Sequence, residues 1–206
     1  MVFIKIGEGM SWYEKGGQGL ENEADILKAI EQDRWMMETL EAARAIHKPD
    51  WWICAGFVRT KVWDILHGYT KRSPLPDIDF IYFDEEQAEE SVEKELERQL
   101  RQLLPGRPWS VKNEARMHVV NRITPYASSR DAISKFPETV SALGVKLDEQ
   151  GKLQLIAPWG IHDLLMMKIR PTTFFSESKE RMNIYERRIE MKKWHVRWPL
   201  VEKIER

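Results

Sequence analysis

The stretch PLPDIDFIYFD, residues 74–84, constrains the fold of this chain more than any other. Its aromatic and β-branched content reads as a strand, yet two aspartates, a residue type depleted in strands, stand at its start. Side chains alternate along a strand, so Asp77 and Asp79 are expected on one face. Carboxylates held that close repel each other unless a cation lies between them. A divalent metal ion fills that role. Asp84 lies an odd number of residues from Asp79 and belongs to the opposite face. With Gln87 three residues on, it reads as the capping box of a helix over 85–104.

What precedes this strand has a mechanical logic. WWICA (51–55) is a short strand whose Trp51 and Trp52 point to opposite faces. Gly56 allows a tight exit, and a Cβ there is expected to crowd the turn. FVRTKVWDILHG then has helical periodicity through Val58, Val62, Ile65 and Leu66 and closes at Gly68. The free N–H groups and positive dipole end of such a helix bind phosphate. Arg59 lies on its first turn, where a guanidinium can fork onto a phosphate. Carboxylates able to hold Mg²⁺ beside an anion-binding helix start are the parts needed for nucleotidyl transfer.

The remaining elements are coarser. ENEADILKAIEQDRWMMETLEAARAIH reads as one helix over roughly 22–47, with Ile26, Leu27, Ile30, Met37 and Leu40 at helical spacing. PWSVKNEARMHVV brings a strand over 109–114 with Ser110, Lys112 and Glu114 on one face. Glu114 is either a third carboxylate for the metal pair or simply the glutamate that opens a helix. SSRDAISKFPETVSALGVKL suggests two short helical pieces, the second opening at Pro137. VKLDEQGKLQLIA reads as a β-hairpin. PWGIHDLLMMKIRP is a short helix whose Asp163 suits its first turn. The last helix carries Met182, Tyr185 and Ile189 on one face. Its Lys179, Arg181, Arg187, Arg188, Lys192 and Lys193 either form a solvated outer face or guide an anionic acceptor toward the metal. His67 and His118 read as parts of helices, and no His or Cys spacing suggests zinc.

Composition narrows the function classes. At 206 residues, 42 % apolar and 32 % charged, the chain has the make-up of a globular protein. The expected organisation is an N-terminal arm over 1–20, a core over 21–125, and a mainly helical part over 126–206 packed on it. No apolar run approaches the roughly 20 residues of a membrane helix, and the N-terminus lacks a signal-peptide layout. A net charge of −1 argues against general DNA binding. The single cysteine, Cys54, rules out an internal disulfide and fits a reducing, cytoplasmic setting.

AGFVRTKVWDILHG followed by PDIDF resembles the nucleotidyltransferase signature of the DNA polymerase β-like superfamily, in the style of CCA-adding and poly(A) polymerases. Ala55 and Gly56 stand for the glycine pair, Val58 and Arg59 match, Thr60 replaces an Asp, and Asp77 and Asp79 match the metal-binding aspartates. These departures, and the length, argue against a full CCA-adding enzyme with its extra RNA-binding helical domains. DWWICAGFVR, PDIDFIYFD, PWSVKNEARMH, DAISKFPETVSALGV and APWGIHDLL together resemble an uncharacterised bacterial nucleotidyltransferase family across nearly the whole chain. The resemblance implies an α/β (α+β) polymerase β-like fold, a small mixed sheet with flanking helices. It also implies metal-dependent transfer of a nucleoside monophosphate from an NTP to an acceptor that the sequence does not name. Asp77 and Asp79 would hold Mg²⁺ or Mn²⁺, with Glu114 as the third acid, although the related family usually has Gln there. Ala55, Gly56, Phe57, Arg59 and Lys112 make the expected nucleotide-binding set. The competing reading is a catalytically inactive nucleotide-binding or protein-interaction module that keeps the fold.

Overall fold

A computed structural model describes residues 19–204, so the expected N-terminal arm lies outside the described residues except for Gly19 and Leu20. The first expected helix is two. α1 (Glu23–Glu31) starts at a capping box between Asn22 and Asp25, and α2 (Arg34–Arg44) starts afresh at Asp33. The Asp33 carboxylate accepts the Met36 N–H and takes ion pairs from Lys61 at 2.8 Å and Arg72 at 2.5 Å. An aspartate offering the backbone a cap, and committed to two distant cations, interrupts a helix that its apolar spacing alone would continue.

β1 (Trp52–Cys54) leads through Ala55 into α3 (Gly56–Leu66), and β2 (Ile78–Tyr82) follows the proline-rich loop. α4 (Glu90–Leu103) begins later than 85, because Asp84 is spent elsewhere. Its carboxylate pairs with Lys48 at 3.0 Å and accepts the Glu86 N–H within a turn, and Lys48 also holds the Gln87 side chain. β3 (Trp109–Asn113) runs into α5 (Glu114–Asn121), capped by the Asn113 side chain. α6 (Ser129–Ser134) is the first of the two expected helical pieces. The second is a turn: Glu138 bridges to Pro171, and Thr139 and Thr172 bond across the same junction. Those long-range bonds draw the backbone of 137–139 away from helix.

The expected hairpin is β4 (Gly144–Leu147) and β5 (Leu153–Ile156), turned at Gly151 with φ +79°. The strands order as β3-β2-β1-β4-β5, with β2 and β3 parallel and the other pairs antiparallel, so the sheet is mixed. Then come α7 (His162–Leu165), β6 (Lys168–Ile169), α8 (Thr173–Ser176), α9 (Lys179–Lys192), α10 (Trp194–Arg197) and β7 (Glu202–Lys203), which pairs parallel with β6. Tyr185 of α9 is buried, and Met182 and Ile189 pack on the core.

The sheet is apolar on both faces but unequally so. The main core lies on the side of Ile53, Phe80 and Val111, where Trp51 stacks on Phe80 at 5.8 Å. The other side carries Trp52, Cys54 and Ile81 in a smaller cluster with Ile133 and Ile156. Register puts Asp79 opposite Cys54 and Ser110, and Ile81 opposite Trp52 and Lys112, so Asp79 belongs to this second side.

Candidate active site

α3 starts without a side-chain cap. Ala55, in the N-cap position, has φ +52° and ψ −111°, a conformation that favours glycine. The strained residue is thus Ala55 rather than Gly56. A Cβ on Gly56 would meet Arg59 Nη2 at 3.6 Å and Leu75 Cδ2 at 3.7 Å, ordinary contacts, so the expected crowding at that turn is absent. The Ala55 N–H is held by the Leu143 carbonyl. The N–H groups of the first helical turn are left to a ligand or water, and Ala55 and Gly56 line a cleft of about 660 Å³.

Asp77 and Asp79 line the same cleft. Asp77 is exposed just ahead of β2, and Asp79 is half-buried within it. Among the described residues neither carboxylate takes part in an ion pair or a hydrogen bond to a side chain. Burial, and then the like charge of Asp77, push the Asp79 carboxyl up to about 6. Arg188, Arg59 and Lys192 act in the opposite sense. The loop that delivers the pair is pinned from behind: buried Asp64 accepts the Ser73 N–H at 2.8 Å, the Ser73 hydroxyl at 2.7 Å and the Trp198 indole N–H at 2.9 Å. Arg197 donates to the Pro74 carbonyl at 3.1 Å.

Arg59 also lines the cleft, but it is buried, and Nη1 donates to the Ser141 hydroxyl at 2.6 Å. Its guanidinium lies 4.2 Å from the Trp194 ring centroid and 5.5 Å from that of Trp63. Trp194 and Trp198 both meet Trp63 edge-on, at 5.6 Å and 5.3 Å, so α10 docks on α3 around this cation. Burial pulls Arg59 down to about 10, opposed by Glu138. It therefore remains a cation at neutral pH.

Three expected residues stand elsewhere. Phe57 is a core side chain stacked on Trp35 at 5.9 Å. Lys112 does not line the cleft, and its ammonium lies 3.5 Å from Glu93, which also pairs with Arg116. Glu114 is buried as the first residue of α5. Burial, then the charges of Glu93 and Asp79, push its carboxyl up to about 8. Glu114 thus feels Asp79 while also opening a helix. Among the described residues no three His, Cys, Asp or Glu side chains gather into a metal-holding group. Two unengaged carboxylates do fit Mg²⁺, which is usually held by one or two carboxylates together with substrate phosphates and water.

The same cleft is also strongly basic. Arg188, Lys192 and Lys193 from the end of α9, and Arg197 from α10, line it with Trp194 and Trp198. Arg188 and Lys192 are four residues apart, a spacing that puts both on one helix face. The basic character of this helix was visible in the sequence. Glu138, Ser141 and Trp194 carried no comparable signal.

The sheet, the helix that starts at its strand end and the paired aspartates define a nucleotidyl-transfer scaffold, and comparison with known proteins agrees. The family model described as Nucleotidyltransferase matches residues 41–202, and the chain belongs to this nucleotidyltransferase family. An NMR structure that reveals a CCA-adding enzyme head domain is 34 % identical, with 90 % of this chain and 97 % of that one covered at a TM-score of 0.79. A CCA-adding enzyme in complex with CTP shares 16 % identity and a TM-score of 0.53, covering 91 % of this chain and 44 % of that one. An apo CCA-adding enzyme shares 17 % identity and a TM-score of 0.52, covering 91 % of this chain and 44 % of that one. These last two show the fold, of which the chain spans less than half of each enzyme's length. No curated protein matches the chain. Among the described residues no helix is long and apolar enough to cross a membrane.

Proposed function

We propose that the protein transfers a nucleoside monophosphate from a nucleoside triphosphate to an acceptor, with Mg²⁺ or Mn²⁺ held by Asp77 and Asp79. One observation carries the reading. Two carboxylates without salt-bridge partners line a single cleft together with an uncapped helix start and a cluster of cations. The N–H groups at Gly56 and Phe57 receive phosphate oxygens, and Arg59, fixed by Ser141 and Trp194, supplies charge behind them. Asp77 and Asp79 hold the metal. When bound there, such an ion would supply neutralising charge for the phosphates and for an attacking hydroxyl. The basic wall raises the local concentration of polyanions at the cleft. A buried, unpaired Cys54 thiol suits the cytoplasm as the site of action.

The test is incubation of the purified protein with each common ribonucleoside triphosphate, labelled at the α-phosphate, with Mg²⁺ or Mn²⁺ and cell extract as a source of acceptors. Label transferred to an acceptor with pyrophosphate release, lost in Asp79→Asn, is the expected result. Nucleotide binding without transfer under every condition would instead support the inactive-module reading.

A further inference from the structure

Glu138, in the turn after α6, is fully buried and ionisable. Its Oε1 accepts the Nε–H of Arg188 at 2.6 Å, and its Oε2 has no partner. Arg59, whose buried Nε is likewise unpartnered, feels the Glu138 charge. One carboxylate thus sits among two guanidiniums, one from α3 and one from α9. A buried acid with an unused oxygen is costly, and such groups persist where they fix something else.

What Glu138 fixes is Arg188. The Arg188 side chain is 33 % exposed, against 0 % for Glu138. Its Nε is taken, and among the described residues its two Nη groups donate no hydrogen bond. It lines the same cleft as the aspartates, close enough for its charge to act on Asp79. Five cations line the cleft (Arg59, Arg188, Lys192, Lys193 and Arg197) against the two carboxylates Asp77 and Asp79. That excess suits a ligand bearing several negative charges. Arg188 alone among them is tied by Nε to a buried acid, which leaves the paired Nη edge to fork onto phosphate oxygens.

We propose that Arg188 is the residue of α9 that grips the polyphosphate of the nucleotide, and of the pyrophosphate product, with Glu138 as its positioning residue. The assignment rests on the nucleotidyl-transfer reading for its biological ligand, but its test does not require turnover. The two residues lie 50 positions apart in sequence. Their pair therefore also locks α9 to the turn after α6, holding the basic wall at a set distance from Asp77 and Asp79.

The probe is inorganic pyrophosphate in metal-free buffer, with affinity measured by calorimetry and the Arg188 Nε–H resonance followed by NMR. Arg188→Ala should weaken binding by about tenfold or more, the loss expected for a charge-assisted bidentate contact. Arg188→Lys should recover only part of it, because an ammonium has no fork. Glu138→Gln separates positioning from plain electrostatics. Removing a negative charge near an anion site should by itself tighten pyrophosphate binding, whereas a loosened Arg188 weakens it. Weaker binding in Glu138→Gln, with the Arg188 Nε–H signal shifted or broadened, is expected. Unchanged or tighter binding would overturn the positioning role, and unchanged binding in Arg188→Ala would overturn the whole assignment. The double variant Arg188→Met with Glu138→Gln removes both charges of the pair, so no buried carboxylate is left without its cation, and it should fold and still bind weakly. Absence of nucleotidyl transfer in the wild type would sink the proposed activity while leaving these pyrophosphate results intact.

Discussion

Cys54 and Asp79 are direct partners in the antiparallel pairing of β1 with β2. Because α3 starts two residues after Cys54, that one pairing sets the uncapped helix start beside the carboxylate. The short strand and the D-x-D strand therefore act as a jig for Asp79 and the start of α3, while Asp77, just ahead of β2, depends on the loop that Asp64 pins.

If Asp79 holds the metal as proposed, metal affinity should depend on pH. Its carboxyl is pushed up to about 6, and a protonated carboxylate does not hold a divalent cation. Mn²⁺ affinity, followed by electron paramagnetic resonance, should fall as pH drops below about 6, by close to tenfold per unit. Asp79→Asn should bind Mn²⁺ weakly at every pH and lose that slope.

The same shift bears on stability in metal-free buffer. A folded-state value raised above the unfolded one means that the native protein binds the extra proton, so stability falls as pH rises from the ordinary aspartate range through about 6. Asp79→Asn should therefore be more stable than wild type above that range, by about 1–3 kcal/mol, and should converge with it in acid. Urea denaturation at a series of pH values checks both the sign and the window.

Ala55, rather than Gly56, adopts the backbone conformation that favours glycine. With φ at +52°, Ala55→Gly relieves strain of about 1–3 kcal/mol and loses about 0.5–1 to chain entropy, so a modest net stabilisation is expected in thermal unfolding. Gly56→Ala is expected to be neutral or slightly stabilising, since its methyl meets nothing closer than 3.6 Å and alanine favours helix. That methyl stands in the cleft wall, so nucleotide affinity should drop in a variant whose stability does not.

Asp64 anchors the loop ahead of Asp77 through Ser73 and Trp198. Asp64→Ala removes three buried hydrogen bonds to a charged group and should cost about 3–5 kcal/mol, measured by denaturant unfolding. Asp64→Asn keeps the shape and part of the bonding and should cost less.

Local signals made the reacting strand legible: alternation exposes a D-x-D pair, and a strand followed by glycine and helical periodicity exposes a helix end. The basic helix that closes the cleft was legible as charge, though not as a wall. What escaped was settled by partners distant in sequence. Asp33 breaks a helix because Lys61 and Arg72 reach it. Asp84 fails as a helix cap because Lys48 holds it. Lys112 turns to Glu93, and Glu138 meets Arg188 across 50 positions. Periodicity reports which face is buried, but not which charge a side chain will meet once the elements pack.

Glu114 allows a decisive measurement of the third acid. With its carboxyl up to about 8 by burial and by Glu93 and Asp79, it is mostly protonated at neutral pH, whereas Asp79, at about 6, is mostly ionised. If a cation held by Asp77 and Asp79 also draws on Glu114, the carboxyl must ionise as the ion binds. Close to one proton should then be released per Mn²⁺ at about pH 7, where Asp79 alone would account for roughly a tenth of one. Calorimetric titration in buffers of different ionisation enthalpy counts those protons directly. Because Glu114 does not line the cleft and no third acid gathers with Asp77 and Asp79 among the described residues, the expected result is release of roughly a tenth of a proton in the wild type and in Glu114→Gln alike. Near-unit release in the wild type, lost in Glu114→Gln, would overturn that and bring Glu114 into the metal site beyond its structural task of opening α5.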